Sequence, residues 1–200
     1  DLSNKNISSL KNIIKSNIIT SGNYGIEVEK KICKFFKSKY ALLTNSWTNG
    51  AIATLLALNI KKGDEVIVPA MTFVATANVV EIVGAKPVFV DCDPETLLID
   101  NEKILKAINK KTKAIILVHL YGNMFDVKKL KKSLLRKKSR VKIIEDAAHS
   151  FESKFNGKKV GSFSDVSIFS FYATKNITCA EGGAIITNNR NLYLKAQYLA

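Results

Sequence analysis

The chain has 200 residues, of which 46% are hydrophobic, 24% charged and 8% aromatic. That is ordinary globular composition, enough for one α/β domain with a full core, and it excludes disordered and collagen-like chains. No apolar run approaches the ~20 residues that span a bilayer, and Asp1–Leu10 lacks the charged-then-apolar pattern of a signal peptide, so the expectation is a cytoplasmic protein with no membrane partner. Cys33, Cys92 and Cys179 are odd in number and widely spaced. They read as reduced structural thiols, not as a disulfide framework or zinc site, and with only His119 and His149 besides, no metal is expected.

Two amphipathic helices open the chain. Ser8–Asn17 presents Leu10, Ile13 and Ile14; Ile26–Ser38 presents Val28, Ile32, Phe35 and Phe36. Between them, Thr20-Ser21-Gly22-Asn23-Tyr24-Gly25 reads as a loop with two breakers. Residues 1–25 are accordingly set apart as an N-terminal helix and loop, and residues 26–200 as the main domain.

From Ala41 onward, apolar β-rich runs alternate with helical patterns. Strand Ala41–Thr44 leads to helix Thr48–Asn59, strand Glu65–Pro69 to helix Phe73–Val83, and strand Pro87–Asp91 to helix Asn101–Ile108. Strand Lys113–His119 leads to helix Asp126–Lys138, and strands Val141–Asp146, Val166–Phe171 and Ala184–Thr187 follow. Near-continuous apolar runs such as Ala114-Ile115-Ile116-Leu117-Val118 fit parallel strands covered on both faces. The alternation implies right-handed crossovers and a mostly parallel sheet flanked by helices. The net charge of +14 concentrates between Lys128 and Lys142, where nine residues are Lys or Arg and none is acidic. Val127, Leu130 and Leu134 fall there at helical spacing, so the lysines form the solvated face of an amphipathic helix, and no aromatic residues interleave to stack bases. No nucleic acid partner is expected. The chain ends within another helical pattern, Asn191–Ala200, which reads as a longer protein cut at this point.

In open parallel sheets, ligands bind at the carboxyl ends of strands. After the first strand, Ser46-Trp47-Thr48-Asn49-Gly50 enters a helix. Hydroxyls and free N–H groups there suit an anion, or Ser46 or Thr48 is a plain N-cap. The fifth strand ends in Glu145-Asp146-Ala147-Ala148-His149. A buried carboxylate needs a partner: a protonated ring nitrogen, as in pyridoxal 5'-phosphate (PLP) enzymes, a helix it caps, or a metal shared with His149. The sixth strand runs into Phe169-Ser170-Phe171-Tyr172-Ala173-Thr174-Lys175-Asn176. Lys175 is then either a desolvated nucleophile beyond a buried aromatic strand or an ordinary surface lysine. Glu181-Gly182-Gly183 gives a tight turn before the last strand. There is no dinucleotide fingerprint, no Walker-type phosphate loop and no serine nucleophile elbow.

Six blocks, in order, resemble one family. They are Gly63–Pro69, Thr72–Thr76, Gly84–Asp91, Val118–Gly122, Glu145–His149 and Lys175–Gly183. The chain resembles the DegT/DnrJ-type nucleotide-sugar aminotransferases of the type I PLP-dependent fold, from about Thr20 to the end. The last two blocks look most like the enzymes that make UDP-4-amino-4-deoxy-L-arabinose. The resemblance implies that Lys175 carries PLP through its amine and then moves a proton between substrate and cofactor. It implies that Asp146 pairs with the pyridinium nitrogen, Phe73 stacks on the ring and His149 approaches the ring hydroxyl. Thr48, the backbone around Trp47, and Ser170 would hold the phosphate. Where the family commonly has Ser-Gly-Thr, this chain has Ser46-Trp47-Thr48, so Trp47 must point away. The implied substrates are an amino acid donor such as glutamate and a nucleotide-linked keto-sugar, 4-keto more than 3-keto, for cell-surface polysaccharide or related amino-sugar biosynthesis. Relatives are homodimers about twice this length, with a smaller C-terminal domain, so the fragment alone is expected to transaminate weakly or not at all. Competing readings are a PLP-dependent sugar dehydratase, which would carry histidine in place of Lys175, and a non-catalytic PLP-binding regulator.

Overall fold

The computed structural model describes residues 4–16 and 20–200. Asn17, the expected end of the first helix, lies outside them. The first helix, α1, runs Asn4–Lys15, with Ile7, Leu10 and Ile14 exposed. Helix α2, Asn23–Phe36, begins three residues earlier than its apolar pattern predicts. Asn23, Tyr24 and Gly25 form its first turn rather than a loop. A glycine is tolerated there because first-turn N–H groups have no intrahelical partner to lose.

All seven expected strands form, in one sheet. They are β1 (Tyr40–Thr44), β2 (Glu65–Pro69), β3 (Lys86–Val90), β4 (Thr112–Val118), β5 (Lys142–Asp146), β8 (Val166–Ser170) and β9 (Gly183–Thr187), in the order β1-β9-β8-β5-β4-β2-β3. Pairs within β3-β2-β4-β5-β8 are parallel, and β9 alone runs antiparallel, between β1 and β8. Two-residue strands β6 (Lys154–Phe155) and β7 (Lys158–Lys159) form a separate hairpin that the apolar pattern does not announce. Its residues are mostly exposed, so no burial periodicity marks it.

The helices between strands are α3 (Trp47–Ala57), α4 (Ala75–Ile82), α5 (Asn101–Ala107), α6 (Val127–Arg136) and, last, α7 (Arg190–Leu199). Side chains set the starts of α5, α6 and α7. Asp100 accepts from Lys103 N at 2.8 Å, Asp126 from Lys129 N at 2.9 Å, and Asn189 from Leu192 N at 3.1 Å. These caps take up N–H groups that the first turn cannot bond itself. Lysine-rich α6 buries Val127, Leu130 and Leu134, as its spacing predicts.

The core follows the parallel strands. Val66, Ile67 and Val68 of β2 and Ala114–Leu117 of β4 are almost wholly buried. Edge strand β3 departs from the expectation of two covered faces: Phe89 is 58% exposed. Pro87 fits there, because an edge strand leaves one side of its ladder unpaired. A second apolar cluster joins α2 to the β8–β9 face, with Phe36 and Phe169 ring centroids 4.6 Å apart and Phe151 stacked 5.3 Å from Phe35. The carboxyl ends of β4, β5 and β8 therefore sit side by side on a rigid base.

Gly183 makes one close approach that this layout needs. A Cβ there would lie 2.7 Å from the Ser46 carbonyl carbon and 2.8 Å from its oxygen. The sheet and the start of α3 would have to separate. We expect Gly183→Ala to lower the unfolding free energy of the full-length protein by about 1–3 kcal/mol, the usual cost of overpacking. Urea titration measures it, and an unchanged midpoint would show that the α3 start shifts freely.

Candidate functional site

The start of α3 is held open toward the sheet. Ser46, in extended conformation, accepts from Asn49 N at 3.2 Å, while Thr44 Oγ1 donates to the Ser46 carbonyl at 2.9 Å. Ser46 is thus the N-cap, and the N–H groups of Trp47 and Thr48 have no acceptor within the helix. Trp47 is 7% exposed and packs in the main core, yet also borders the cavity described below. Its Nε1 has no hydrogen-bond partner among the described residues.

Two adjacent carboxylates end β5, and strand alternation sends them to opposite faces. Glu145 accepts from His119 Nε2 at 2.7 Å, Gly161 N at 3.0 Å and Ser167 Oγ at 3.3 Å. Burial acts to raise its pKa, but His119 first, then Ser164 and the Gly161 N–H, hold it below the usual carboxylate value. His119 Nδ1 accepts from Phe125 N at 3.2 Å, so the ring proton sits on Nε2, facing Glu145. Asp146 has weaker partners: Ala148 N at 3.1 Å, and Thr76 Oγ1 at 3.4 Å, itself 2.9 Å from Thr72 Oγ1. Burial outweighs them and pushes Asp146 up to about 6.

Lys175 lies beyond β8, in the loop to β9. Its Nζ is 2.9 Å from His149 Nε2, and His149 Nδ1 accepts from Tyr121 N at 3.2 Å. Burial, then the neighbouring Lys175 charge, hold His149 below its ordinary pKa. The Tyr121 ring stacks on His149 with centroids 5.8 Å apart. The same loop carries Cys179, which is exposed and bonds the Glu181 carbonyl, so it is not a core thiol; Cys33 and Cys92 are half-buried, and all three are free.

The start of α3, Asp146, His149 and Lys175 face one cavity of about 600 Å³. The fold brings all seven expected site residues to it: Trp47, Thr48, Phe73, Asp146, His149, Ser170 and Lys175. Phe73 stands in the turn ahead of α4, not inside the helix, and is 76% exposed. Ser170 Oγ accepts from Tyr172 N at 3.3 Å. Sequence reasoning gave no role to the Thr72–Thr76 hydroxyl pair, the Tyr121 amide or the His119–Glu145 pair. The two threonines were visible as an i, i+4 spacing before a helix, and Glu145 as a charge inside an apolar strand. The Tyr121 amide left no side-chain signal.

Asp146 makes stability depend on pH in a stated direction. Its pKa is raised from 3.8 to about 6 in the folded protein. Above pH 6 the folded state carries a buried ionised carboxylate at a cost; as pH falls from about 6 to about 4, the folded state takes up the proton first and that cost disappears. We expect Asp146→Asn to stabilise the cofactor-free full-length protein at neutral pH by up to about 3 kcal/mol, and the gain to vanish near pH 4. Thermal melts across that range check it. An Asn variant no more stable at neutral pH would mean that the carboxylate already has a full charge partner.

A model of the DegT/DnrJ/EryC1/StrS aminotransferase family matches residues 1–200. Among solved structures, the chain is similar to Spr1654 from Streptococcus pneumoniae in its PLP form, a protein assigned as a sugar aminotransferase: 33% identity, TM-score 0.93, covering 98% of this chain and 55% of that one. It is similar to NtdA from Bacillus subtilis with bound cofactor PMP, at 36% identity and TM-score 0.87, over 95% of this chain and 42% of that one. It is also similar to Helicobacter pylori PseC, an aminotransferase involved in the biosynthesis of pseudoaminic acid, at 34% identity and TM-score 0.90, over 98% of this chain and 53% of that one. The chain thus spans about half the length of the solved relatives it matches. Its sheet, mostly parallel with flanking helices, is that of the type I PLP-dependent transferases, and the chain belongs to the DegT/DnrJ/EryC1/StrS aminotransferase family.

Proposed function

We propose that this chain is the PLP-binding part of an enzyme that moves an amino group from an amino acid, such as glutamate, to a nucleotide-linked keto-sugar. The observation that carries this reading is one cavity faced by an amine, Lys175, and by Asp146, a buried carboxylate bonded only by the Ala148 N–H and a 3.4 Å contact from the Thr76 hydroxyl. A protonated pyridine nitrogen is a charge partner for such a carboxylate, and the cofactor's phosphate suits the free N–H groups at the start of α3. The PLP and PMP forms of the similar structures support the same cofactor. When bound, PLP supplies an electron sink for the carbon that carries the amine.

The chain's own residues then have distinct tasks. Lys175 binds the cofactor through Nζ and afterwards holds the proton that moves at the substrate carbon. Asp146 keeps a negative charge facing the ring nitrogen, and the Thr76 hydroxyl and Ala148 N–H fix its orientation. Thr48, the Trp47 backbone and Ser170 would hold the phosphate; Phe73 would stack on the ring, and His149 would approach the ring hydroxyl. PseC's link to pseudoaminic acid biosynthesis supports an amino-sugar product. The motif blocks Glu145–His149 and Lys175–Gly183 favour a 4-keto sugar of the kind that leads to UDP-4-amino-4-deoxy-L-arabinose, hence a role in cell-surface polysaccharide synthesis. We further propose a cytoplasmic homodimer; Phe73, 76% exposed beside the cavity, is free to be covered by a second subunit. Lys175 speaks against the dehydratase reading. No helix among the described residues is long and apolar enough to cross a membrane.

Borohydride reduction of the PLP-loaded full-length protein, followed by peptide mapping, is expected to fix the pyridoxyl group on Lys175. A label on Lys158 or Lys159 instead would sink the assignment. Asp146→Ala is expected to retain cofactor capture but lose at least about 10- to 100-fold in turnover, the rate equivalent of a charged hydrogen bond worth about 1.5–3 kcal/mol. Near-wild-type turnover contradicts its role. Incubation with glutamate and a panel of keto-sugar nucleotides, read by mass spectrometry, tests the substrate class; amination of none of them removes the sugar reading.

A further inference from the structure

Tyr121 combines a costly backbone with a side chain that burial does not reward. It adopts φ 53°, ψ 25°, the left-handed region that glycine and asparagine enter readily and a bulky aromatic residue seldom does. The residue is 75% exposed, so removal of apolar surface from water offsets little of that cost. What its ring does touch is His149, with centroids 5.8 Å apart and planes only 6° from parallel. The backbone N–H of the same residue donates to His149 Nδ1 at 3.2 Å. One residue thus meets one imidazole twice, at a ring edge and on a ring face. On the imidazole's other nitrogen, Nε2, stands Lys175 Nζ at 2.9 Å.

From this geometry we infer that Tyr121 is a positioning residue whose aromatic ring sets the plane of the His149 imidazole at the edge of the cavity. The inference rests on the proposed function for the cofactor beside His149, and adds the residue that aims His149 at it. A hydrogen bond at Nδ1 fixes one corner of the imidazole but leaves the ring free to tilt about the N–H···N line. A second ring laid against its face removes that tilt, and parallel aromatic pairs at this separation attract.

Strained residues persist where their surroundings over-determine them, and they gather at functional sites. The turn that carries Tyr121 is held in this way. His119, at its start, bonds Glu145 through Nε2 and accepts from Phe125 N through Nδ1. Gly122 N donates to the His119 carbonyl at 3.2 Å and Asn123 N to the Leu120 carbonyl at 2.9 Å. Ser150 Oγ donates to the same His119 carbonyl at 3.0 Å, which ties the turn to the segment that carries His149. The two segments also touch at Gly122, φ 84°, where a Cβ would lie 3.4 Å from the His149 carbonyl oxygen. These bonds belong to the backbone and to His119, so the turn itself has no need of an aromatic side chain at position 121. Glycine or asparagine would take the same φ at lower cost. The contact with His149 accounts for a tyrosine there, and it leaves the ring's contribution separable from that of the N–H.

Labelling of the cofactor-free full-length protein with diethyl pyrocarbonate, followed by peptide mass mapping, reads how readily the His149 ring is reached. Tyr121→Gly and Tyr121→Asn keep the backbone N–H and suit the left-handed turn. Both are expected to raise the rate of His149 labelling about 2- to 10-fold, the worth of one aromatic pair. Tyr121→Phe keeps the ring and is expected to label His149 at the wild-type rate. His119, fully buried against Glu145, stays unlabelled while the fold is intact. A second measurement joins the ring to the cofactor: release of PLP from the loaded full-length protein, followed by absorbance. Tyr121→Gly is expected to speed release about 2- to 10-fold, and to add nothing in a His149→Leu background, since a residue that acts through another is silent without it. Wild-type His149 labelling in the Gly and Asn variants overturns the inference. So does faster labelling in the Phe variant, or a release defect that adds in full to that of His149→Leu. A pyridoxyl label on a lysine other than Lys175 defeats the proposed function without touching the labelling of cofactor-free His149, whereas unchanged His149 labelling defeats only the present inference.

Discussion

Everything at this site depends on two carboxylates placed side by side at the end of a central strand. An unpaired charge in a protein interior is strongly disfavoured, and β5 ends in Glu145 and Asp146, exposed by only 1% and 6%. The pleat separates their fates. Glu145 turns to a side where an imidazole, a backbone N–H and a hydroxyl converge, and stays ionised. Asp146 turns to the cavity, where one backbone N–H and a long threonine contact do not offset burial. One residue is a finished structural ion; its neighbour is left wanting a cation. That asymmetry makes the cavity a site for a ligand with a protonatable ring, rather than a packing defect.

The finished ion also shapes the unfinished side. By binding His119, Glu145 anchors the first residue of the turn that follows β4, and His119 in turn holds Phe125 N, six residues on. A turn closed this tightly leaves Tyr121 in the left-handed region, at a typical cost of about 1–3 kcal/mol. The strain puts a backbone N–H against His149 Nδ1, on the far side of the ring from Lys175. Polar pairs buried behind the cavity thereby help to hold the His149 ring beside Lys175. This is a chain of contacts along one strand end and one turn, with each link a hydrogen bond of ordinary length.

Much of this was legible in the residues because the information was local. Continuous apolar runs gave seven strands; the caps Asp100 and Asp126 were not singled out, although each stands one residue before the helix it starts. Asp146 stood out as a charge at the end of an apolar strand, whereas Lys175 stayed open between nucleophile and surface lysine until the motif resemblance implied its role. What escaped is what depends on backbone geometry or on residues far apart in sequence. The entry to α2 was misplaced because Gly22 and Gly25 read as breakers, although a helix start tolerates them. The reversed direction of β9 has no signature in its own residues, Gly183–Thr187; it follows from the loop that returns from β8. The Tyr121 amide was invisible for a deeper reason, since any residue but proline carries the same N–H, and only the fold shows where it points.

Trp47 shows how a departure from a motif can leave its chemistry intact. At a phosphate loop, a small residue is usually needed because the backbone must approach the anion. Here the indole is buried in the core and still borders the cavity, and the geometry of a helix start separates it from its own N–H. At the first residues of a helix the N–H vectors run along the axis, out of the N-terminus, whereas side chains leave radially. Trp47 is the first residue of α3, so its indole can enter the core beneath the helix while its N–H remains at the open end. The fold holds that end from below: glycine at 183 lets β9 pass under Ser46 where a Cβ would not fit. The α3 start is thus held from two sides, by an indole packed in the core at position 47 and by a glycine at 183 that leaves room for the Ser46 carbonyl.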